Sequence, residues 1–502
     1  MPSDSSNGLS ETKEDFLEKL MELDCLGQVS SLLGWDEQVN LPEKPISAKQ
    51  RGKQSATIAE LRHKQITSPA FSDKLKRLED HSEELDEDWQ VILREARRDL
   101  DKAAKIPSEF VSIQANHASA SYHAWKQARQ KNDFASYSGY LEKTLSLAKE
   151  EASFLGFDEN PYDYHIDKHD PGMTTAKVGK LFDELRSELV PLSERILALA
   201  EEKASPKMEG FSPELQETFL REVIESLGFD LSRGRIDVAV HPFCSGNGAD
   251  TRLTTRYDEN NPLDSLFSAI HEAGHGMYEQ GLPERWMGTP LGEAAGMAVH
   301  ESQSRIWENQ VGRSVQFWEI WAARFRELFK KPFNGIDDEQ LYLAVNKVSR
   351  NPIRVDADEV TYNLHVILRF EIEKALFSGD LTVNQLTDAW SEKAQELLGL
   401  KPRNDSLGVL QDVHWSGGAF GYFPSYCLGN LLAAQLWEKA KEEDAANPAE
   451  PSKLLSWLQE KVHRHGRRFS LEELSLKATG KSLSSESFIT YLGERYLTLY
   501  QS

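Results

Sequence analysis

The stretch NPLDSLFSAIHEAGHGMYEQG, residues 261–281, contains the pattern on which the fold and chemistry of this chain depend. His271 and His275 are four residues apart, slightly more than one turn of an α-helix, so both imidazoles leave the same helix face. Glu272 lies about 100° further round, given about 3.6 residues per turn. The pattern predicts a helix that holds one metal ion between two histidines, with a carboxylate beside it.

The residues around this pattern favour a helix. Asn261 can cap the first turn, Pro262 suits the first helical position, and Asp264 complements the positive end of the helix dipole. Gly274 weakens a helix by about 1 kcal/mol relative to alanine, so we expect another chain segment to approach it closely. Gly281 offers a helix stop. Apolar side chains beside the histidines predict packing against a core, at Leu263, Phe267, Ile270 and Met277.

A catalytic zinc site takes a third protein ligand and keeps one position open for water. A histidine six residues after His275 would complete one extended pattern, but that position is Gly281. The remaining candidates are Glu279, Glu293 and Glu301, and the last two lie in a stretch rich in small residues that can pack closely on the metal helix. The residues alone leave the choice between Glu293 and Glu301 open.

The composition argues against two classes of protein. The 502 residues include 58 Lys plus Arg and 81 Asp plus Glu, which gives a formal net charge of −23. Nucleic-acid binding and polybasic membrane binding both need excess positive charge, so we expect no nucleic-acid partner and no membrane association. Only three cysteines occur, too few for a disulfide framework, which predicts a reducing, cytoplasmic location.

Helical periodicity dominates the chain and predicts a mostly α fold. Two β-favouring runs, residues 236–243 and 251–257, flank a loop rich in glycine and asparagine. They predict a β-hairpin or small sheet near the metal site, just before the metal helix. We expect residues 1–10 to form a disordered tail.

The sequence resembles the carboxypeptidase Taq family of metallopeptidases in more than the metal helix. Six motifs of that family occur in the family's order, and the resemblance spans roughly residues 14–500. The motifs are His241-Pro242-Phe243, the stretch Asp250 to Thr254, HEAGH at 271–275, His300-Glu301-Ser302-Gln303, the stretch Ile353 to Asp358, and the stretch Gly408 to Trp415.

The resemblance implies a role for each residue of the metal site. His271, His275 and Glu301 would bind zinc, one ion per chain, for which cobalt can substitute. Glu272 would act first as general base and then as general acid. The family releases C-terminal amino acids one at a time, with broad specificity, so the implied partners are peptides with a free C-terminus.

The resemblance also implies an architecture. It predicts a large two-lobed helical body with a deep active-site groove, commonly assembled as a homodimer. In these terms residues 11–502 form a single peptidase unit, with an N-terminal helical lid region at about 11–230 and a metal-site region at about 231–502.

Peptide hydrolysis needs a group that stabilises the tetrahedral oxyanion. In neighbouring zinc-peptidase families a tyrosine or histidine does this, and the candidates here are His414, Tyr422 and Tyr426. Aromatic core packing is the alternative interpretation of both tyrosines.

An exopeptidase must also bind the free C-terminal carboxylate, and arginine suits this because its planar fork binds a carboxylate through two hydrogen bonds. Arg354 is the first candidate, by resemblance and because its segment lies at a predicted helix start. Arg252 is the second, although it could instead pair with Asp250 or Asp258. His241 could line the substrate channel or only brace the hairpin.

Three functions are therefore compatible with the sequence. The first is a zinc metallocarboxypeptidase. The second is an endo-acting metallo-oligopeptidase on the same HExxH core, which would cleave C-terminally amidated peptides as well. The third is an inactive helical binding protein, which we expect to have lost a ligand or the base, whereas this sequence contains all four residues.

Overall fold

Helices dominate residues 3–501, the part of the chain that the structure, a computed structural model, describes. The helices are α1 (Ser3–Val39), α2 (Pro45–Ile66), α3 (Pro69–Glu79), α4 (Glu87–Lys105), α5 (Ser108–Lys131), α6 (Ala135–Phe154), α7 (Pro161–His169), α8 (Thr175–Ala200), α9 (Pro213–Leu227), α10 (Pro262–Gly281), α11 (Met297–Arg305), α12 (Val315–Phe329), α13 (Asp338–Val345), α14 (Tyr362–Ser378), α15 (Leu386–Leu398), α16 (Phe423–Glu442), α17 (Pro451–Lys461), α18 (Leu471–Thr479), α19 (Glu486–Leu492) and α20 (Thr498–Gln501). The strands are β1 (Gly234–Val238), β2 (Phe243–Asn247) and β3 (Asp250–Thr255). The predicted mostly α fold with a small β element is confirmed.

The N-terminus differs from the expectation. Helix α1 begins at Ser3, so the expected tail at residues 1–10 is helical from that residue onward. The first two residues of that segment lie outside the described range.

The three strands form a sheet in the order β1-β3-β2. β2 and β3 are the antiparallel hairpin, whereas β1 pairs with β3 in parallel. The sheet lies against α10, where the Oγ1 of Thr255 is 2.7 Å from the Oγ of Ser268. It also packs on Gly276, because a Cβ there would lie 3.2 Å from Leu253. The sheet therefore braces the predicted metal helix along its length.

Helix α11 is held between α10 and α16 at very short range. A Cβ added to Gly274 of α10 would lie 2.6 Å from the carbonyl oxygen of Gln303 in α11. A Cβ added to Gly429 of α16 would lie 2.7 Å from the Cβ of Glu301, on another side of α11. The predicted close approach at Gly274 is confirmed, and the partner segment is the helix that carries Glu301.

The buried apolar residues fall into two clusters. The smaller cluster contains residues 16–100 of the first four helices together with Leu291, and the larger one begins at Trp125. Charged contacts join the two parts, since Arg467 hydrogen-bonds Glu95 of α4 and Glu293 near α11. The division between the two cores thus falls before Trp125, while the lid region expected at about 11–230 remains a prediction about function.

The described residues contain no helix that is long and apolar enough to cross a membrane. The cysteines Cys25, Cys244 and Cys427 are free. Burial raises the pKa of the Cys244 and Cys427 thiols well above the ordinary value, so both stay neutral and act as packing residues.

Candidate metal centre

Helices α10 and α11 bring three potential metal ligands together. One ligand atom each from His271, His275 and Glu301 lies within 4.8 Å of the other two. The Oε2 of Glu301 is 3.6 Å from His271 Nε2 and 3.4 Å from His275 Nε2. Glu301 is buried and the two histidines are partly exposed, at 18% and 13%, so solvent reaches the histidine side of the cluster. We call these three residues the ligand triad.

The outer atoms of the ligand triad are held by charged neighbours. Arg305, one turn after Glu301 on α11, donates to Glu301 Oε1 at 2.6 Å and so leaves Oε2 facing the histidines. A π-helical segment, Ile306–Val311, follows α11 and carries Glu308. Glu308 Oε2 accepts from His271 Nδ1 at 2.9 Å and from Arg305 at 3.0 Å. Two of the three ligands, Glu301 and His271, are thereby oriented by partners outside the triad.

The two other glutamates considered as third ligands lie elsewhere. Glu279 Oε1 is 2.8 Å from Nε2 of His300, whose Nδ1 is 2.5 Å from His275 Nδ1. Glu293 Oε2 accepts from Arg467 at 2.6 Å, at the junction with the N-terminal helices. Neither is in the group of residues whose ligand atoms converge, and that group contains Glu301.

The ligand triad fits a zinc ion in both chemistry and spacing. Zinc bonds of about 2.0–2.2 Å in tetrahedral geometry place ligand atoms roughly 3.3–3.6 Å apart. The two measured separations from Glu301 Oε2 match this spacing. Two imidazoles and one carboxylate are also the donor set of several catalytic zinc sites, which leave the fourth position free.

The ionisation of Glu301 and His275 favours metal binding, whereas the pKa of His271 is raised, because the effect of its burial is outweighed by Glu301 and Glu308. Burial disfavours the Glu301 carboxylate, but Arg305 and the two histidines outweigh it, so its pKa lies well below the ordinary value. Burial lowers the pKa of His275 to about 3, helped by the nearby His300. An ionised carboxylate and a neutral imidazole are the forms that bind metal.

Glu272 is buried on α10, beside the triad but not part of it. Burial raises the pKa of its carboxyl group to about 7, and the negative charges of Glu301 and Glu308 act in the same direction. Its place agrees with the position about 100° from the histidine face that the sequence predicts. A carboxyl group here can exchange a proton with a water in the site.

A second buried charge cluster contains two arginines and one aspartate. Arg354 donates through Nε and Nη2 to Asp412 Oδ1, at 3.1 and 3.0 Å. Arg369 donates to Asp412 Oδ2 at 2.7 Å and to Gln411 at 2.7 Å. We call Arg354 and Arg369 the arginine pair. With a single carboxylate between them, the pair has one excess positive charge.

The ring of Tyr362 connects the arginine pair to the ligand triad. The guanidinium carbon of Arg305 is 4.7 Å from the centre of this ring, and that of Arg354 is 6.0 Å from it. The Tyr362 hydroxyl accepts from Arg354 Nη1 at 3.0 Å. Since Arg305 also binds Glu301, both charge clusters lie close to one aromatic side chain.

The three candidate oxyanion groups form a continuous row of rings beside the arginine pair. His414 is 5.6 Å from Tyr422, which is 5.2 Å from Tyr426, measured between ring centres. The guanidinium of Arg354 lies 5.1 Å from the Tyr426 ring. Burial, and after it the charge of Glu301, raises the pKa of Tyr422 to about 12, so its hydroxyl stays a hydrogen-bond donor. The structure therefore brings these residues and Arg354 together.

Arg252 is on β3 of the small sheet, and His241 is in the loop between β1 and β2. Arg252 pairs with Asp250 through two hydrogen bonds of 2.9 and 2.8 Å, so of the two expected ion-pair partners, Asp250 and Asp258, the first is used. The side chain of His241 is exposed, and its backbone carbonyl accepts from Thr254 Oγ1 at 3.3 Å. The bracing roles expected as alternatives agree with these contacts.

The residues that hold the ligands in place were not predicted from the sequence. Arg305 could have been found, because an arginine four residues after Glu301 is a favourable helical pair. Glu308 could not, because its reach to His271 depends on a π-helical segment that local periodicity does not predict. The contact of His300 with His275 also depends on the packing of two helices, although both residues lie in the quoted motifs.

Comparison with known proteins gives consistent matches over almost the whole chain. A family model described as carboxypeptidase Taq (M32) metallopeptidase matches residues 15–496. Thermostable carboxypeptidase 1 of Thermus thermophilus is 38% identical, covering 97% of this chain and 98% of its own. Carboxypeptidase 1 of Bacillus subtilis is 35% identical, with coverage of 97% and 98%.

A solved structure gives the same result for the fold. The crystal structure of an M32 carboxypeptidase from Deinococcus radiodurans superposes with a TM-score of 0.94 at 41% identity. The match covers 98% of this chain and 100% of that one. Similarity of this extent includes the helices of the ligand triad and those of the arginine pair.

Proposed function

The chain belongs to the carboxypeptidase Taq (M32) family of metallopeptidases, and on this premise we propose that it is a zinc-dependent carboxypeptidase that removes residues from the C-terminus of peptides. The observation that carries the proposal is the convergence of three ligand atoms, from His271, His275 and Glu301, beside the Glu272 carboxyl group. A binding protein without chemistry would not need this set of groups in a buried site.

We propose one zinc ion per chain, with cobalt as a substitute, held by the ligand triad. When bound, the ion lowers the pKa of a water and polarises the scissile carbonyl. Arg305 keeps Glu301 turned so that Oε2 faces the histidines, and Glu308 does the same for His271 from its outer nitrogen. These neighbours fix the geometry of the ligands before any ion binds.

Glu272 is proposed to move the proton. Its carboxylate accepts a proton from the attacking water and then delivers it to the nitrogen of the departing amino acid. General acid–base catalysis of this kind contributes about 10²–10⁴-fold to the rate. The buried position of Glu272 excludes bulk water from this transfer.

The arginine pair and the row of rings are proposed to bind the end of the substrate. The excess positive charge of Arg354 and Arg369 attracts a C-terminal carboxylate, with Arg354 still the first candidate for direct contact. Tyr422 is proposed to donate a hydrogen bond to the developing oxyanion, since after burial the charge of Glu301 is the largest influence on its pKa. Tyr426 and His414 remain alternatives, and Arg252 and His241 remain second candidates for substrate contact.

We further propose a homodimer in the cytoplasm. The homodimer rests on the family resemblance, and the location rests on three free cysteines. Light scattering after size-exclusion chromatography tests the first, with a mass near twice 56.9 kDa as the expected result.

One experiment separates the carboxypeptidase from an endo-acting oligopeptidase. Purified protein is stripped of metal, reloaded with zinc or cobalt, and incubated with one peptide in free-acid and C-terminally amidated forms. Mass spectrometry should show a metal-dependent ladder of single-residue losses from the free acid and no cleavage of the amide. Internal cleavage of both peptides would instead support the oligopeptidase.

Two variants control this experiment. Glu272→Gln should remove activity while zinc still binds, because the ligand triad is intact. Glu284→Gln changes a neighbouring glutamate that is 79% exposed, and it should behave as wild type. Absence of cleavage by metal-loaded wild-type protein on several free-acid peptides would contradict the proposed function.

A further inference from the structure

The two ligand histidines differ in what supports their outer nitrogens. His271 Nδ1 lies 2.9 Å from a carboxylate, that of Glu308. His275 Nδ1 lies 2.5 Å from the Nδ1 of another histidine, His300. A carboxylate can only accept a hydrogen bond, whereas an imidazole nitrogen either donates or accepts according to its tautomer. The tautomer of His275 therefore depends on what determines the tautomer of His300.

Glu279 determines the tautomer of His300. Its Oε1 is 2.8 Å from His300 Nε2, so this nitrogen must bear the hydrogen. In a neutral His300 the other nitrogen, Nδ1, then has a free lone pair and accepts from His275 Nδ1. His275 is left with an unprotonated Nε2, the atom that lies 3.4 Å from Glu301 Oε2. The Glu279 carboxylate thus determines the tautomer of His300 and, through it, the tautomer of His275.

The surrounding side chains keep this arrangement in place. His300 and Glu279 are both less than one-fifth exposed. The ring of Tyr278 packs 5.2 Å from that of His300, and its hydroxyl accepts from the backbone NH of Ala295 at 3.2 Å. Glu279 lies one turn after His275 on α10, and His300 directly precedes Glu301 on α11. Each ligand helix therefore contributes one member.

We infer that Glu279 and His300 are positioning residues that hold His275 in its metal-binding tautomer, an inference that rests on the proposed zinc site. His271 obtains the same tautomer directly from Glu308, so the two histidines reach one state by different routes. Outer partners of this kind typically change metal affinity by about 10–100-fold when they are removed.

The test measures zinc affinity by competition with a chromophoric chelator, together with the absorption spectrum of the cobalt-loaded protein. His300→Leu removes both hydrogen bonds, and we expect zinc binding about 10–100-fold weaker with an altered cobalt spectrum. His300→Gln can still accept from His275 and donate to Glu279, so it should stay within a few-fold of wild type.

Substitution of Glu279, the acceptor at the outer end of the hydrogen-bonded series, tests the inference independently of His300. Glu279→Leu should weaken zinc binding in the same direction as His300→Leu, while Glu279→Gln retains an acceptor oxygen and should lose less. The double variant of His300→Leu and Glu279→Leu should be no weaker than His300→Leu alone, because the two residues act through one hydrogen-bonded series. Glu284→Leu is the matched control.

Two outcomes separate the inference from the proposed function. If wild-type protein binds no zinc, the proposed metal site fails. If wild type binds one zinc ion, and His300→Leu and Glu279→Leu bind it with unchanged affinity and an unchanged cobalt spectrum, the positioning role is overturned. Circular dichroism of the metal-free variants checks that they fold, and if one leucine variant does not, the other leucine variant carries the test.

Discussion

The ligand triad and the arginine pair are both buried clusters of charge, but they differ in where their polar atoms point. In the triad, the outer atoms are bound by Arg305, Glu308 and His300, while the inner atoms face one another. In the arginine pair, the charges bind Asp412 directly. A cluster whose inner atoms converge is complete only with a cation, whereas one that pairs internally is already stable. Changes to the triad should therefore affect metal binding, and changes to the pair should affect folding as well.

The largest expected effect comes from removing the third ligand. Glu301→Gln should abolish peptidase activity and weaken zinc binding by more than the about 10–100-fold typical of outer partners. Glu293→Gln is the matched control, since Glu293 contacts Arg467 rather than the histidines. Zinc titration of both variants checks this, and equal affinities in the two would contradict the choice of Glu301.

Removing one member of the arginine pair should lower the free energy of unfolding before any effect on substrate binding is considered. Arg354→Met removes one partner of a buried ion pair, and such changes lower the free energy of unfolding by about 3–5 kcal/mol. If Arg354 also binds the substrate carboxylate, the KM for free-acid peptides rises in variants that still fold. Arg354→Lys retains the charge without the fork, so a raised KM at near-native stability would support direct contact. An unchanged KM in this variant would assign Arg354 a structural role alone.

Tyr422 is the proposed donor to the oxyanion, and removing its hydroxyl tests that role. Tyr422→Phe should lower kcat by about 10²-fold if the hydroxyl stabilises the oxyanion, with little change in KM. Tyr426→Phe, whose ring lies against Arg354, should lower kcat less. Steady-state kinetics on one free-acid peptide compares them. A larger kcat effect at Tyr426 would reverse the assignment.

Glu373 is a third buried ionisable group, and it differs from the two clusters because all its hydrogen-bond partners are neutral. It accepts hydrogen bonds from the Trp415 indole, the Tyr162 hydroxyl and the Gly421 backbone, and burial raises its pKa to about 7. Because this lies above the ordinary 4.5, the folded state keeps the proton longer than the unfolded chain.

The contribution of Glu373 to stability is therefore fully present below about pH 4.5 and falls as pH rises towards 7, by on the order of 3 kcal/mol. Glu373→Gln cannot titrate and lacks this dependence. Chemical denaturation at pH 5 and pH 8 should show the wild type losing stability relative to Glu373→Gln as pH rises. A constant difference between the two proteins would contradict the raised pKa.

The sequence predicts the ligand histidines and the base because one helix contains all three. Spacing within a helix is local, so His271, His275 and Glu272 need no knowledge of the rest of the fold. The third ligand is different, because Glu293 and Glu301 were equally acceptable on the residues alone. The family resemblance favoured Glu301, and the packing of α11 between α10 and α16 is what brings that residue to the histidines.

Partner choice could not be predicted for charges whose neighbours come from distant segments. From the sequence alone, Arg354 is expected to be available to bind a substrate carboxylate. In the structure, two of its nitrogens donate hydrogen bonds to Asp412, 58 residues later. The small sheet was predicted by composition, while the parallel pairing of β1 with β3 was not, because periodicity within a strand does not tell which strand lies beside it.

The glycines at 274 and 429 have a consequence for changing the metal. They set the distance between the backbones of three helices, so the width of the ligand triad is fixed by main chain rather than by the ligands themselves. A protein engineer who wishes to admit a larger ion should therefore leave the ligands alone and enlarge residue 274. A methyl group there meets the backbone of α11 at Gln303 and would move the helix that carries Glu301 away from the helix that carries the histidines.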